Sequence, residues 1–388
     1  METQFLFPNE VEKSVLWGLI IVLYPFMTST IFGGMFVSAL PTLFGRKALE
    51  PVARLGLAVG LSFLPFVFLP ILLDLGQPVR AFNIMATPRF CSPMAVFGFV
   101  FTFVAVVIAL HAWFVFRKDL AARAREKTGF MRCVYWILVL GVTEVTPQAE
   151  RIDRGLAKFL KIVALPADAL LTGYVAFIFA TVPGNPEWNS TIRPVVLLLA
   201  GIVTGASLTL LLGAIFKPAV LRDETVKALG VYLVAAVLAV AALTILEVVE
   251  IAYMDGYSAT VIETLFAGGG PLATMFFTVF LGLGTCLPVA VLACAFALRL
   301  RGAPLKLAAM AAGVFGVLQS FALLWNIIVG GQLVSKSLRG VVAYTPAPAE
   351  IALTLGIAAM PLLAFVVINF LVPLAAPGGE ETAPVPQA

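Results

Sequence analysis

Long apolar runs alternate with short polar connections along most of the chain. A helix that crosses the roughly 30 Å hydrocarbon core of a membrane needs about 20 apolar residues. Backbone groups cannot stay unpaired in lipid, so each run is predicted to be a helix. The pattern predicts an all-α integral membrane protein with nine transmembrane helices, called spans 1 to 9. The runs are Ser14–Gly45, Leu55–Leu73, Phe90–Phe116, Ile162–Pro186, Pro194–Phe216, Ala228–Leu246, Leu265–Leu298, Leu307–Ser335 and Ile351–Gly379.

One further apolar run, Cys133–Thr143, is too short to cross a membrane. A helix of that length extends only about 16 Å. We therefore expect an interfacial or cytoplasmic helix at this position. The first run is too long for a signal peptide and lacks a basic segment before it, so we expect it to remain as span 1.

The basic residues collect on one side of the predicted bundle. With nine spans, every second connection and the C-terminal tail share a side, and that side holds 19 of the 25 Lys and Arg residues. Such residues favour the cytoplasm. We therefore predict a multi-pass protein of a bacterial or archaeal cytoplasmic (inner) membrane, with the N-terminus outside and the C-terminus inside. A tenth span at Cys133–Thr143 would spoil this distribution.

Composition agrees with a protein surrounded by lipid. Hydrophobic residues make up 61% of the sequence and charged residues 12%, about half the charged share of an average soluble domain. A net charge of only +4 gives no reason to expect nucleic-acid binding. The sequence has one histidine, and its four cysteines lack the spacing of a haem or zinc site. We expect no haem or metal to be bound by this chain.

A weak internal repeat divides the predicted spans. Asp74 at the end of span 2 is followed by Pro93, and Glu250 at the end of span 6 is followed at a similar spacing by Pro271. Parallel repeats are common in membrane proteins. The repeat predicts two four-helix bundles plus one extra helix. The predicted boundaries are 1–186 for the first bundle, 187–335 for the second, and 336–388 for the ninth helix and tail.

The connection between spans 2 and 3 is the most informative polar segment. Asp74 and Arg80 flank Gly76 and Pro78, which favour a tight turn. The turn would bring the carboxylate and the guanidinium together near the membrane surface. From the residues alone, the pair could order the loop or hydrogen-bond a quinone headgroup, and both interpretations stay open.

The segment Asp74-Leu-Gly-Gln-Pro-Val-Arg80, followed by Ser92-Pro-Met94, resembles the signature of the NrfD/PsrC family of polysulfide-reductase-type membrane subunits. Thr172-Gly-Tyr174 resembles a second family pattern, although here the Thr-Gly precedes the tyrosine. Downstream, Trp188-Asn189 and Thr204-Gly-Ala206 resemble the continuation of that pattern.

The opening Phe7-Pro-Asn-Glu-Val-Glu-Lys13 is similar to the DsrP and HmcC-like members of the family. The resemblance implies a subunit without a redox cofactor, not active alone, that reacts with menaquinone or ubiquinone in the first bundle near the outer face. It also implies a docked iron-sulfur (ferredoxin-like) subunit, with a multihaem cytochrome c as a further candidate partner. The candidate quinone-binding residues are Asn9, Glu10, Asp74, Arg80, Asn83 and Tyr174.

Ionisable residues at membrane depth are costly and therefore suggest a function. Asp168 in span 4 and His111 in span 3 are predicted at similar depths, so they could form a pair that passes protons from the cytoplasm. Alternatively, Asp168 pairs with Lys161, and His111 packs against a backbone carbonyl. The candidate proton path comprises His111, Asp168, Glu247 and Glu250.

Other polar side chains have simpler expected roles. Glu247 and Glu250 share a helix face, and they could conduct protons, pair with Arg193 or be solvated. Gln319 and Asn326 on span 8 are expected to form interhelical hydrogen bonds. Trp188 is expected in the aromatic belt of the membrane or at a partner interface.

Two other function classes remain open from the sequence. A secondary transporter for a small anion would also fit parallel repeats and polar groups within the membrane. A passive membrane anchor for a redox partner would fit the topology but would leave quinones without effect. The leading interpretation is a quinone-reactive redox subunit, with or without coupled proton translocation.

Overall fold

The computed structural model describes residues 15–90, 92–182, 185, 188–253, 256–266, 270–333, 342 and 344–375. In these parts of the chain, nine helices are long and apolar enough to cross a membrane, which confirms the predicted all-α fold and its nine spans. The spans are Leu19–Leu43, Lys47–Asp74, Pro93–Glu126, Pro147–Ala180, Arg193–Phe216, Asp223–Tyr253, Pro271–Ala297, Gly302–Gln332 and Pro348–Leu371.

Spans 2 and 7 depart from regular α-helix within their length, and span 8 ends in the 3₁₀ turn Gly330–Gln332. Span 2 begins with the 3₁₀ segment Lys47–Val52 and contains a second one at Leu64–Phe66. Span 7 is a π-helix over Thr274–Cys286, between the α-helical segments Pro271–Ala273 and Leu287–Ala297. π-Helical turns are rare and often mark functional positions. Here the irregular segment packs against span 8.

Span 1 lies at the centre of the protein and packs against spans 2, 4, 5 and 8. Glycines allow these close approaches. Gly33 meets the backbone of Gly201 and Gly205 on span 5, and Gly34 meets Gly60 on span 2. Small residues spaced four apart, as in Gly201 and Gly205, let membrane helices come into backbone contact. The crossing of spans 1 and 5 joins the two halves of the protein.

The two groups of four spans have the same pattern of helix contacts. Span 1 packs against spans 2 and 4, and span 3 packs against span 4. Likewise span 5 packs against spans 6 and 8, and span 7 packs against span 8. Span 9 lies against spans 1 and 2. The domain boundaries at 186 and 335 stay a prediction.

The connections lie at two ends of the bundle. The basic end, as we call it, carries the connections between spans 1–2, 3–4, 5–6 and 7–8, and the opposite end is the far end. At the basic end, Gly129–Leu138 forms a short helix that is not a span, as predicted. Ion pairs Arg54–Asp119 and Arg117–Asp153 fasten span 3 to spans 2 and 4 there.

At the far end, the connection from span 2 to span 3 contains the short turns Pro78–Phe82 and Asn83–Ala86. The far end between spans 6 and 7 carries the helix Tyr257–Phe266. Glu350 of span 9 accepts a 2.6 Å hydrogen bond from the backbone N–H of Leu19, which satisfies a free donor at the start of span 1.

Candidate functional site

Spans 1 to 4 each contribute an aromatic or backbone group to the far end of the first bundle. Tyr24 of span 1 packs edge-on against Phe97 of span 3 at 5.3 Å, and Phe68 of span 2 packs against the same ring at 5.5 Å. Tyr174 of span 4 donates a 2.6 Å hydrogen bond to the carbonyl of Pro93. Tyr24 itself is buried.

The structure does not join the predicted charged pair. Asp74 and Arg80 are both exposed, and the ion pairs of the described residues do not include them. The 3₁₀ turn at Pro78–Phe82 places Arg80 outside the bundle. The pairing expected from the turn residues was therefore wrong. Asn83 is also exposed, and Asn9 and Glu10 lie outside the described residues.

His111 packs as the simpler sequence interpretation expected. Its ring is fully buried, and Nδ1 lies 2.9 Å from the carbonyl oxygen of Ala157 on span 4. Asp168 is eleven residues further along span 4, about 16 Å toward the far end. The expected His111–Asp168 pair is therefore not formed, because the two side chains lie at different depths.

The expected pairing of Asp168 with Lys161 was also wrong. The Lys161 ammonium instead donates to the carbonyl of Ser38 at 3.0 Å and to the hydroxyl of Thr42 at 3.3 Å, both on span 1. Asp168 is fully buried, and neither carboxyl oxygen has a hydrogen-bond partner among the described residues. A buried carboxyl group without a partner is costly, which marks Asp168 as a candidate functional group.

Polar groups occur along spans 1, 3 and 4 between the two ends of the first bundle. Thr172 donates to the carbonyl of Thr28 one turn beyond Asp168, and Tyr24 lies one turn beyond Thr28. Toward the basic end, Ala157, whose carbonyl oxygen lies 2.9 Å from His111 Nδ1, is one turn from Lys161 on span 4. We call Tyr24, Tyr174, Thr28, Thr172, Asp168, Lys161 and His111 the first-bundle polar column.

The second bundle contains a buried ion pair at its far end. Arg193 of span 5 and Glu247 of span 6 approach to 2.9 Å with side chains only 5% and 6% exposed. This confirms the pairing that was one of three alternatives for Glu247. Glu250, three residues later, is exposed and lies outside the pair. Together with Arg193 and Glu247, Asn326 of span 8 lines a cleft at this end of the bundle.

Two polar expectations in the second half have different outcomes. Gln319 forms the interhelical bonds expected of it, donating to the carbonyl of Val237 and the hydroxyl of Thr285. Asn326 does not, since both its amide nitrogen and oxygen lack partners among the described residues. Trp188 was expected in the aromatic belt or at a partner interface, but it packs inside the bundle instead. It is buried, stacks on Trp17 and donates to the carbonyl of Ile327.

Sequence reasoning missed Tyr24, which sits in an apolar run without a motif. It also assigned Lys161 to Asp168 on its own helix, although the structure ties it to span 1. The spacing of seven residues was a genuine signal for a shared face, but it could not identify the neighbouring helix. In the described residues, no group of three His, Cys, Asp or Glu side chains is placed to hold a metal ion.

Comparisons with known proteins bear on this arrangement. A family model described as "Polysulphide reductase, NrfD" matches residues 8–335. A Halobacterium salinarum protein, provisionally named as a membrane subunit of dimethyl sulfoxide reductase, is 30% identical over 365 residues, covering 88% of this chain and 79% of that protein.

Two other similar proteins have reductase names. A selenate reductase subunit of Mesobacillus selenatarsenatis is 26% identical over 227 residues, which cover 56% of this chain and 52% of that protein. A polysulfide reductase polypeptide of Wolinella succinogenes is 26% identical over 300 residues, which cover 72% of this chain and 84% of that protein. All three names describe components of reductases.

Proposed function

Because the chain belongs to the NrfD polysulphide reductase family, we propose that it is the membrane subunit of a respiratory redox complex that exchanges electrons between a membrane quinone and a docked iron-sulfur subunit. The family resemblance predicted from the Asp74–Arg80 motif is confirmed, whereas the DsrP and HmcC-like subgroup stays a prediction. The relatives named as components of dimethyl sulfoxide, selenate and polysulfide reductases support a role within an oxidoreductase.

The observation that carries the proposal is the aromatic far end of the first bundle. A quinone site needs an apolar slot for the ring and hydrogen-bond donors at its carbonyl oxygens. Phe68 and Phe97 supply the apolar wall, and the Tyr24 ring packs edge-on against Phe97. Tyr174 is oriented by its bond to Pro93. In this proposal the Tyr24 hydroxyl donates to a carbonyl of the headgroup, and the Tyr174 hydroxyl, whose proton is donated to Pro93, accepts from a hydroxyl of the quinol.

Quinone reduction consumes two electrons and two protons, and quinol oxidation releases them. The electrons pass to or from the iron-sulfur subunit. The first-bundle polar column supports a proton route between the far-end site and the basic end. In this proposal Asp168 holds a proton midway, and Lys161 and His111 connect it with the basic side. The positive-inside rule makes that side the cytoplasm.

The connection from span 2 to span 3 supports docking of a partner at the far end. Several large apolar side chains project from it, including Val79 at 82%, Phe82 at 65% and Phe90 at 68% exposure. Exposed apolar clusters of this kind mark protein or membrane contacts. We propose that the iron-sulfur subunit lies over this connection, on the outer side of the membrane, close enough to exchange electrons with the first bundle. A multihaem cytochrome c would be a further partner.

The test is saturation binding of a short-chain naphthoquinone analogue to the purified complex. Tyr24→Phe removes one hydroxyl and keeps the ring, so we expect affinity to fall about three- to tenfold, the value of one hydrogen bond. Tyr232→Phe, whose ring packs on Phe36 in span 1 away from this site, is the matched control and should bind like the native protein. Asp74→Asn reports whether the exposed carboxylate contributes.

The outcomes separate the function classes. Saturable binding weakened by Tyr24→Phe and unchanged by Tyr232→Phe supports the site. Absence of binding to the native complex would favour a passive anchor and refute the quinone proposal. Equal affinity of Tyr24→Phe and Tyr232→Phe for the quinone analogue would show that Tyr24 does not contact the ligand.

A further inference from the structure

A cleft opens at the far end of the second bundle, between spans 5, 6, 7 and 8. It has about 400 Å³ of empty space, a volume that includes open solvent at its mouth. The lining side chains leave room for about one water-sized group between them, such as a water molecule, a hydroxyl or a carbonyl oxygen. The lining residues that carry the argument are Glu247, Ile251, Phe266, Phe276 and Asn326.

Asn326 places an unused amide in this cleft. The residue is 93% buried, and neither Nδ2 nor Oδ1 has a hydrogen-bond partner among the described residues. Each buried polar atom without a partner costs about 1–3 kcal/mol. Two helical turns away on the same span, Gln319 donates to two partners. The Gln319 amide is therefore hydrogen-bonded where the helices pack closely, whereas the Asn326 amide is available to a ligand where the cleft opens.

The remaining lining selects the kind of occupant. Phe266 and Phe276 meet edge-on at 5.2 Å and form an aromatic wall. The charges of Arg193 and Glu247 lie 2.9 Å apart, so the charges of the described lining residues compensate each other and favour an uncharged occupant over an ion. An occupant with a flat apolar body and an oxygen that accepts or donates a hydrogen bond would match both the wall and the amide.

We infer that the second bundle holds a second binding site for the headgroup of a quinone or quinol, at its far end. This inference rests on the proposed function, since it uses the same class of ligand. One headgroup oxygen enters the cleft and bonds to the Asn326 amide. The ring lies at the mouth of the cleft, against Phe266 and Phe276, and the tail extends away from the mouth. The matching helix contacts of the two bundles place this site where the first bundle has Tyr24 and Tyr174.

The experiment is photolabelling of the purified complex with a short-chain azido-naphthoquinone, followed by mass spectrometry of the labelled peptides of this protein. We expect two labelled regions in the native protein, at the far ends of spans 1–4 and of spans 5–8. Asn326→Leu should remove at least nine-tenths of the label from the second region. Asn369→Leu on span 9 is the matched control, because the Asn369 amide oxygen is also buried with no hydrogen-bond partner among the described residues but does not line the cleft.

A second variant tests the same site independently, in case Asn326→Leu fails to fold. Ile251→Trp fills the cleft from its mouth and leaves Asn326 and the ion pair in place, so it should also remove the second label. Tyr24→Phe should weaken only the first label. Labelling confined to the first region, unaffected by Asn326→Leu, would overturn the second site and leave the proposed function standing. Absence of label in both regions would overturn both.

Discussion

Replacing Gly205 by alanine tests the crossing of spans 1 and 5. A Cβ atom at this position would overlap the carbonyl carbon, the oxygen and the Cα of Gly33. Backbone atoms cannot rotate away as a side chain can, so the two helices must move apart. Carbon atoms prefer separations of about 3.5–4.0 Å. The movement would therefore disturb packing along much of the interface between the two bundles.

In a matched control, substitution of glycine by alanine should raise the stability of the protein instead of lowering it. Gly155 is a helical glycine in span 4, exposed at the basic end, and a Cβ there would meet nothing within 4 Å. Alanine is favoured over glycine in a helix by about 1 kcal/mol, so Gly155→Ala should stabilise the protein by about that amount. At Gly205 the same gain is opposed by overpacking, which costs about 1–3 kcal/mol.

The difference between the two variants isolates the cost of the crossing. Helix propensity contributes equally to both, so Gly205→Ala should be less stable than Gly155→Ala by about 3 kcal/mol, the upper end of the overpacking range. The assay is unfolding of the purified protein by sodium dodecyl sulfate in mixed micelles, followed by circular dichroism. Equal stabilisation of both variants would refute the backbone contact between Gly33 and Gly205.

Three further predictions concern polar groups. Glu247→Gln removes one charge of the buried Arg193–Glu247 pair and should lower the free energy of unfolding by about 3 kcal/mol. The double variant Arg193→Met, Glu247→Leu should recover much of that loss. A loss in the double variant equal to the sum of the losses in the two single variants would contradict this. Burial and the hydrogen bond to Glu350 raise the pKa of Tyr344, so its contribution to stability is complete below the unfolded pKa of about 10 and is lost as pH rises further. Tyr344→Phe should flatten the fall of the thermal midpoint above pH 10, and an unchanged slope would contradict it. Asp168→Asn should leave quinone-analogue binding unchanged and slow quinone turnover of the complex at least tenfold; full turnover would exclude Asp168 from the proton route.

The number and type of the elements followed from the sequence. Apolar runs long enough to cross a membrane can be recognised residue by residue, because lipid requires a continuous apolar surface and a fully bonded backbone. The same rule correctly excluded Cys133–Thr143, where the helix Gly129–Leu138 is too short to span. The Asp74–Arg80 motif identified the family. Its residues are contiguous in the sequence, so it can be recognised without knowledge of the packing.

Partners across helices needed the tertiary structure. Residues seven apart, such as Lys161 and Asp168, share a helix face, but periodicity does not say which neighbouring helix that face meets. The structure turns Lys161 to the backbone of span 1 and sets His111 against Ala157. Depth was also misjudged, because span 4 begins at Pro147, well before the apolar run from which it was counted.

The sequence by itself determined a nine-span membrane protein with a recognisable family motif. The number of spans depends on local hydrophobicity, and the motif consists of contiguous residues. Only the tertiary structure decided which polar groups meet. It packed Tyr24 against Phe97, joined Arg193 to Glu247 and placed Asn326 in the lining of a cleft. These relations depend on helix rotation and crossing, which the glycines at 33, 201 and 205 fix through backbone contact between distant segments.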